Sequence, residues 1–305
     1  MNPKYEAFVK AVETGSFKQS AADLGYTQAG ISYLINALEK DMGTALLIRS
    51  HAGVRPTPDG EALLPWIQEV CNSERALQTR LDEVRHIEGG TIRIASFTSV
   101  AVHWLPGIIS RFLDDHPQVE FESVCYEEQE AQELACWRGD FDCAFVVTPT
   151  KLDFHTISLA QDPLAIVVAT DHPLAQGGVF PAWALGSEPY IKVRNDTHTE
   201  MDTLFENHGV EPNVRFEVDN DYAVMGMVAQ GLGFGVFSQL ILRDTPFDLV
   251  ALKPEIPLER QLGIAVRSLD KASIATKAFI ECTRSWVAEN EKNSDGTVPS
   301  GSDIL

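Results

Sequence analysis

Three glycines, Gly15, Gly25 and Gly43, each close a short amphipathic stretch, and no other feature of the sequence constrains the fold as much. Tyr5, Phe8, Val9 and Val12 recur at helical spacing, so residues 3–14 are predicted to form a helix that Gly15 ends. Ser16 is a favourable N-cap for a second helix carrying Phe17, Ala21, Ala22 and Leu24, stopped by Gly25. Thr27 caps a third, in which Ile31, Leu34, Ile35 and Leu38 make one apolar stripe ahead of Gly43. Two short helices joined by a tight glycine turn are what a helix-turn-helix requires, and the small Ala21 and Ala22 let the helices approach closely. The opposite face of the third helix carries Gln28, Ala29, Ser32, Tyr33, Asn36 and Lys40. Gln and Asn pair bidentately with adenine, Ser bonds to a base or phosphate, and Tyr reaches a phosphate or a thymine methyl. Gln28, Ser32, Tyr33 and Asn36 are therefore the candidates for base edges.

The next segment, residues 46–57, reads as a β-hairpin turning near Ala52-Gly53, with Arg49 and Arg55 on its two arms. A wing of this kind sets both arginines against phosphates or the minor groove; a merely solvated hairpin is the alternative. Thr57-Pro58-Asp59-Gly60-Glu61 opens a helix, with a capping Thr, a first-turn Pro and acids at the positive end. Leu63, Val70, Leu77 and Val84 follow at intervals of seven, with Ile67 and Leu81 four residues after the first and third. That is a coiled-coil seam, broken at Glu74. Either a second copy of the helix or the rest of its own domain could bury it.

Charge is unevenly distributed. The chain of 305 residues carries a formal charge of −20. Residues 1–60 hold six basic and six acidic side chains, so the whole excess lies beyond them. An acidic body repels DNA everywhere except where a neutral head docks. At this length two or three folding units are expected. No apolar run approaches the ~20 residues of a membrane span, and no secretory signal is legible, so the expected location is the cytoplasm, without membrane attachment. Cys71, Cys125, Cys136, Cys143 and Cys282 lack regular spacing and read as reduced, mostly buried thiols.

The run Phe8-Val9, Val12-Glu13-Thr14-Gly15-Ser16-Phe17, Ala21-Ala22-Asp23-Leu24, Thr27-Gln28, Ile31-Ser32, Leu38-Glu39, Leu46-Leu47-Ile48-Arg49 and Thr57-Pro58-Asp59-Gly60 resembles the signature of LysR-type transcriptional regulators in residues and spacing. The resemblance covers nearly all of residues 1–65. It implies a winged helix-turn-helix over 1–58 that binds double-stranded DNA, and a linker and dimerisation helix over 59–88. The homodimer, a homotetramer built on it, and RNA polymerase as a further partner follow from the same resemblance. Ser16, Thr27, Arg49, Arg55 and Thr57 would contact the DNA backbone. The chain departs from the family pattern at Ala29-Gly30 and Tyr33, so its operator sequence is its own; Gly30 costs roughly 1 kcal/mol of helix propensity against Ala.

Beyond Glu88-Gly89-Gly90, strands alternate with helices, which means a parallel or mixed sheet and an α/β fold overall. Ser96, Thr98 and Ser99 lie at the carboxyl end of the first strand, where ligands of such sheets sit, and their hydroxyls suit a carboxylate. The run Gly231-Leu232-Gly233-Phe234-Gly235 follows a helix and opens none, so it reads as a tight turn in preference to a phosphate loop. Leu105-Pro106, Phe112, Pro117, Gly139-Asp140-Phe141-Asp142 and Val228 to Gly233 resemble the two-lobed, periplasmic-binding-protein-like effector domain of the same family. The domain is expected over 91–290, with lobe I about 91–161 and 268–290 and lobe II about 162–267; residues 291–305 read as a disordered tail. The resemblance implies a small-molecule effector between the lobes, with Thr148, Arg194, Thr197 and Phe234 joining Ser96, Thr98 and Ser99. Arg194 fits equally well as a solvated charge.

The eight histidines form no metal-ligand spacing, and no nucleophile elbow or P-loop appears. Neither an enzyme, a metal nor a cofactor is expected, with cysteine redox chemistry an open alternative. Taken alone, the two-lobed part would also suit a solute-binding module; residues 1–87 argue against that reading.

Overall fold

The computed structural model describes residues 2–50, 53–84, 90–194 and 200–291. The chain forms two compact units, Met1–Ile87 with Arg138–Asp140, and Glu88–Trp137 with Phe141–Leu305.

In the first unit the helices are α1 (Pro3–Thr14), α2 (Phe17–Leu24) and α3 (Gln28–Met42), each ended by its glycine in the left-handed conformation. Ser16 Oγ accepts the Gln19 amide and Thr27 Oγ1 the Gly30 amide, so both caps form as expected. Strands β1 (Leu47–Ser50) and β2 (Gly53–Pro56) pair antiparallel as the hairpin. Helix α4 (Pro58–Val84) follows, with the Thr57 hydroxyl accepting the Gly60 amide. Gly60 lies so close to the Leu46 carbonyl that any Cβ would collide with it. Phe8, Ile31, Ile35, Leu38 and Leu46 fill the core, and Ile67 and Cys71 of α4 reach into it.

Helix α4 divides its heptad positions between its own unit and the exposed surface. Ile67 is 3% exposed because its first turns pack on its own unit, whereas Val70, Leu77 and Leu81 are exposed and Trp66 is 74% exposed. Leu63 is partly buried against the same core. Val84 ends the helix, and its side chain lies outside the described residues. Glu74, the break in the heptads, accepts the Asn2 amide at 2.8 Å, which accounts for a carboxylate at that position.

The second unit begins with β3 (Gly90–Ser96), α5 (Thr98–His103), α6 (Leu105–Asp115), β4 (Val119–Cys125), α7 (Gln129–Arg138) and β5 (Cys143–Thr148). Long strand β6 (His155–Ala169) leads to β7 (Val179–Phe180), α8 (Ala184–Ser187), β8 (Tyr190–Val193), α9 (Glu200–His208), β9 (Val214–Val218) and α10 (Asp221–Ala229). Then come β10 (Gly235–Ser238), α11 (Gln239–Leu242), β11 (Leu249–Pro254), β12 (Glu259–Val266) and α12 (Ile274–Asn290). The main sheet runs β4-β3-β5-β12-β6-β11-β7, with β10 also on β6, while β8 and β9 pair separately. Strands β3, β4 and β5 are parallel and β12 and β6 antiparallel, so the sheet is mixed. Cys143 to Val146 are buried without alternation, as expected of a strand covered on both faces.

Two lobes share β6 and β12. The first half of β6 pairs with β12, and the second half with β10 and β11. One crossing falls near Pro163, where β6 changes partner from β12 to β10. The other lies at Glu259-Arg260 and not at 267–268, because Gln261–Ala265 already pair with β5 of the first lobe. Trp104, Phe112, Phe145 and Phe279 centre one lobe; Phe180, Phe205 and Phe234 belong to the other. The expected disordered tail lies outside the described residues, apart from Glu291.

Candidate functional site

Helix α3 and the hairpin form the first candidate surface. Ile31, Ile35 and Leu38 anchor α3 in the core, which turns Gln28, Tyr33 and Asn36 outward; Tyr33 is 73% exposed. Ser32 and Asn36 are not idle on that face. Arg49 of β1 donates to Ser32 Oγ at 3.0 Å and to Asn36 Oδ1, stacks 5.0 Å above the Phe17 ring and stands 3.9 Å from Glu39. Glu39 in turn accepts the Leu46 and Leu47 amides at 2.8 and 3.1 Å. The strand leading into the wing is thereby tied to the outward face of α3. Arg55, across the hairpin, is exposed.

The second candidate is a cavity of about 170 Å³ between the two lobes. Phe97, Thr98, Ser99, Tyr126 and Glu127 border it from the first lobe, and Tyr190, Lys192, Asp221 and Phe237 from the second. Arg260, at the crossing of β12, also borders it. It donates to Asp162 Oδ2 from Nε at 2.9 Å and from Nη2 at 2.7 Å, and to Ser99 Oγ at 3.1 Å. The guanidinium also lies 5.0 Å over the Phe97 ring. Asp162, 5% exposed, uses its other oxygen to accept the Leu240 amide at 3.1 Å. Lys192 is held by Asp202 at 2.8 Å. Burial, and then the Glu127 carboxylate, push Asp221 up to about 6, with Arg260 opposing. Burial likewise raises the Tyr190 hydroxyl above its ordinary value.

Residues 4–61 match the bacterial regulatory helix-turn-helix of the lysR family, and residues 85–288 match the LysR substrate binding domain. The chain belongs to the LysR family of DNA-binding transcriptional regulators. A probable HTH-type transcriptional regulator of Synechococcus elongatus, LrrA, is 30% identical over 283 residues, covering 91% of this chain and 94% of its own. YvbU of Bacillus subtilis, an uncharacterized HTH-type transcriptional regulator, is 28% identical over 284 residues, covering 92% and 96%. The structure of HinK, a LysR family transcriptional regulator from Pseudomonas aeruginosa, is similar with a TM-score of 0.60 at 26% identity, covering 94% of this chain and 98% of its own.

Within this LysR-family chain the expected DNA-contacting side chains divide into two groups. Gln28, Tyr33 and Arg55 stand outward, whereas Ser32 and Asn36 each accept a hydrogen bond from Arg49. Ser16 and Thr27 cap their helices, and the Thr57 hydroxyl also donates to the Ala45 carbonyl at 2.7 Å. Of the expected effector contacts, Thr98 and Ser99 meet at the cavity. Ser96 is fully buried, 3.9 Å from Cys125 Sγ. Thr148 donates to the Gln261 carbonyl at 3.3 Å and does not border the cavity. Arg194 is exposed away from it, and Thr197 lies outside the described residues. Phe234 is fully buried in the second lobe, stacked on Tyr190 at 4.9 Å, so the ring that reaches the cavity is Tyr190 instead.

Arg260, Lys192, Asp221 and Glu127 border the cavity without being among the residues expected from the sequence. Arg260 and Asp162 sit isolated beside strand segments, a weak signal that gains meaning only when two crossing strands bring them together. Among the described residues no group of His, Cys, Asp and Glu could hold a metal ion, and no helix is long and apolar enough to cross a membrane.

Proposed function

We propose that the chain is a sequence-specific, ligand-responsive transcriptional regulator that acts in the cytoplasm as a homodimer, with tetramers built on it and RNA polymerase as its downstream partner. The observation that carries this reading is the outward face of α3, Gln28, Tyr33 and Asn36, flanked by the wing arginines. Gln28 reads a base edge in the major groove, Arg55 contacts phosphate, and Arg49 holds α3 and the wing in one docking geometry. The exposed Trp66, Val70, Leu77 and Leu81 support pairing of α4 with its copy. Paired heads then read a dyad-symmetric site. The inter-lobe cavity takes the effector, whose differential affinity for open and closed lobes shifts the spacing of the heads. No catalytic step, metal or cofactor is part of this reading.

Gln28→Ala provides the test. Its loss of affinity should fall on the cognate site, by about 1–3 kcal/mol, with non-specific binding unchanged at fixed salt. Equal loss on every sequence would remove the base-reading role.

A further inference from the structure

Resting on the reading of the inter-lobe cavity as the effector site, we infer that the effector is a small molecule carrying a protonated amine, held between Asp221 and Glu127. At about 170 Å³ the cavity is smaller than the ~300 Å³ at which drug-sized pockets begin, so its occupant is a small metabolite. Its charges decide the class. Arg260 is bound twice by Asp162 and once more by Ser99, and Lys192 is bound by Asp202, so each cation is already matched by a carboxylate. Asp221 and Glu127 border the cavity without a hydrogen bond or ion pair to any described residue. An anion entering here would be repelled by both carboxylates, with Arg260 offsetting Asp221 only in part. An ammonium group would pair with both, and above all with the more enclosed Asp221, since Glu127 is exposed.

The aromatic part of the lining agrees. Phe97, Tyr126, Tyr190 and Phe237 line the same cavity, and aromatic rings attract cations. The Phe97 face is already used in this way by Arg260. Burial first and the Glu127 carboxylate second raise Asp221 to about 6. A bound ammonium would draw it back toward the ordinary carboxylate range, so amine binding releases protons near pH 6.

The test uses the full-length protein and size-matched probes: 1,4-diaminobutane and ornithine as amines, succinate and glutarate as anions, and 1,4-butanediol as the neutral control. Melting temperature and calorimetry are read at pH 7.5 on the wild type, Asp221→Asn and Glu127→Gln. Neither substitution removes an observed bond, so both variants are expected to fold. The expected result is stabilisation by the amines alone, with affinity falling roughly 30-fold or more in Asp221→Asn. Binding confined to the anions, amine affinity unchanged in both variants, or no binding of either amine would each overturn the inference. Specific DNA binding by the same preparations separates the two ideas. If it persists while the amines fail, only the ligand class falls; if it is absent, the regulator reading falls.

Discussion

Replacing Asp162 with alanine should destabilise the C-terminal unit by about 3–5 kcal/mol, the range for breaking a buried ion pair by removing one partner. The geometry sets that range. Asp162 is 5% exposed and Arg260 18%, so solvent screens the pair little. One carboxylate oxygen receives both Arg260 contacts, at 2.9 and 2.7 Å, and the other accepts the buried Leu240 amide at 3.1 Å. In Asp162→Ala the guanidinium keeps only Ser99 and the Phe97 ring, and the amide loses its acceptor, itself worth about 1–3 kcal/mol. For a unit of this size the melting temperature should drop by roughly 6–20 °C. Thermal unfolding of the full chain, followed by circular dichroism, reads the effect. The double variant Asp162→Leu with Arg260→Met should cost less than the single one, because it leaves no unpaired charge. A single-variant cost below about 1 kcal/mol, the ordinary worth of a surface pair, would refute the argument that this pair fastens the crossing strands.

Three further outcomes follow from the same structure. Arg49→Ala should lower the stability of the N-terminal unit by about 1–2 kcal/mol, from two exposed hydrogen bonds and one ring contact, and weaken all DNA binding in an anisotropy titration. Gly60→Ala should cost about 1–3 kcal/mol in urea unfolding, since its Cβ must displace the Leu46 backbone. Asp221 is raised in the folded state to about 6, so its stabilising contribution is full below the unfolded value of ~3.9 and lost as pH rises through 6. Glu127 and Arg260 are the charged groups acting on it. Relative to wild type, Asp221→Asn should therefore gain about 1–3 kcal/mol between pH 4 and pH 7. A flat difference across that window would contradict the assignment.

Legibility in the sequence tracked how local the determining physics is. The three N-terminal helices were readable to their caps because Ser16, Thr27 and the three glycines act within one turn of each boundary. The hairpin and the start of α4 at Thr57-Pro58 are likewise local. Burial was harder to read. Heptad spacing marked Ile67 and Val70 alike, yet only tertiary packing decides that Ile67 faces its own core. In the two-lobed unit the alternation of strands and helices was legible, whereas the reach of β6 from His155 was not, because its first half is partly polar and exposed on one face. The cavity was the least legible part. Its lining joins Ser99, Asp221 and Arg260 from three distant segments, and no spacing rule brings them together. Phe234 illustrates the converse: the family resemblance implies the cleft, while its apolar ring finds Tyr190 and Phe180 in the core.

The most direct test of the central claim is nuclease footprinting of the full chain on its own upstream intergenic region, at near-physiological salt and with scrambled competitor. The expected result is protection of a dyad-symmetric site with half-sites about 10 base pairs apart or a multiple of that, weakened selectively by Gln28→Ala. Folded, dimeric protein that protects no specific site there or in a genome-wide fragment pool would contradict it.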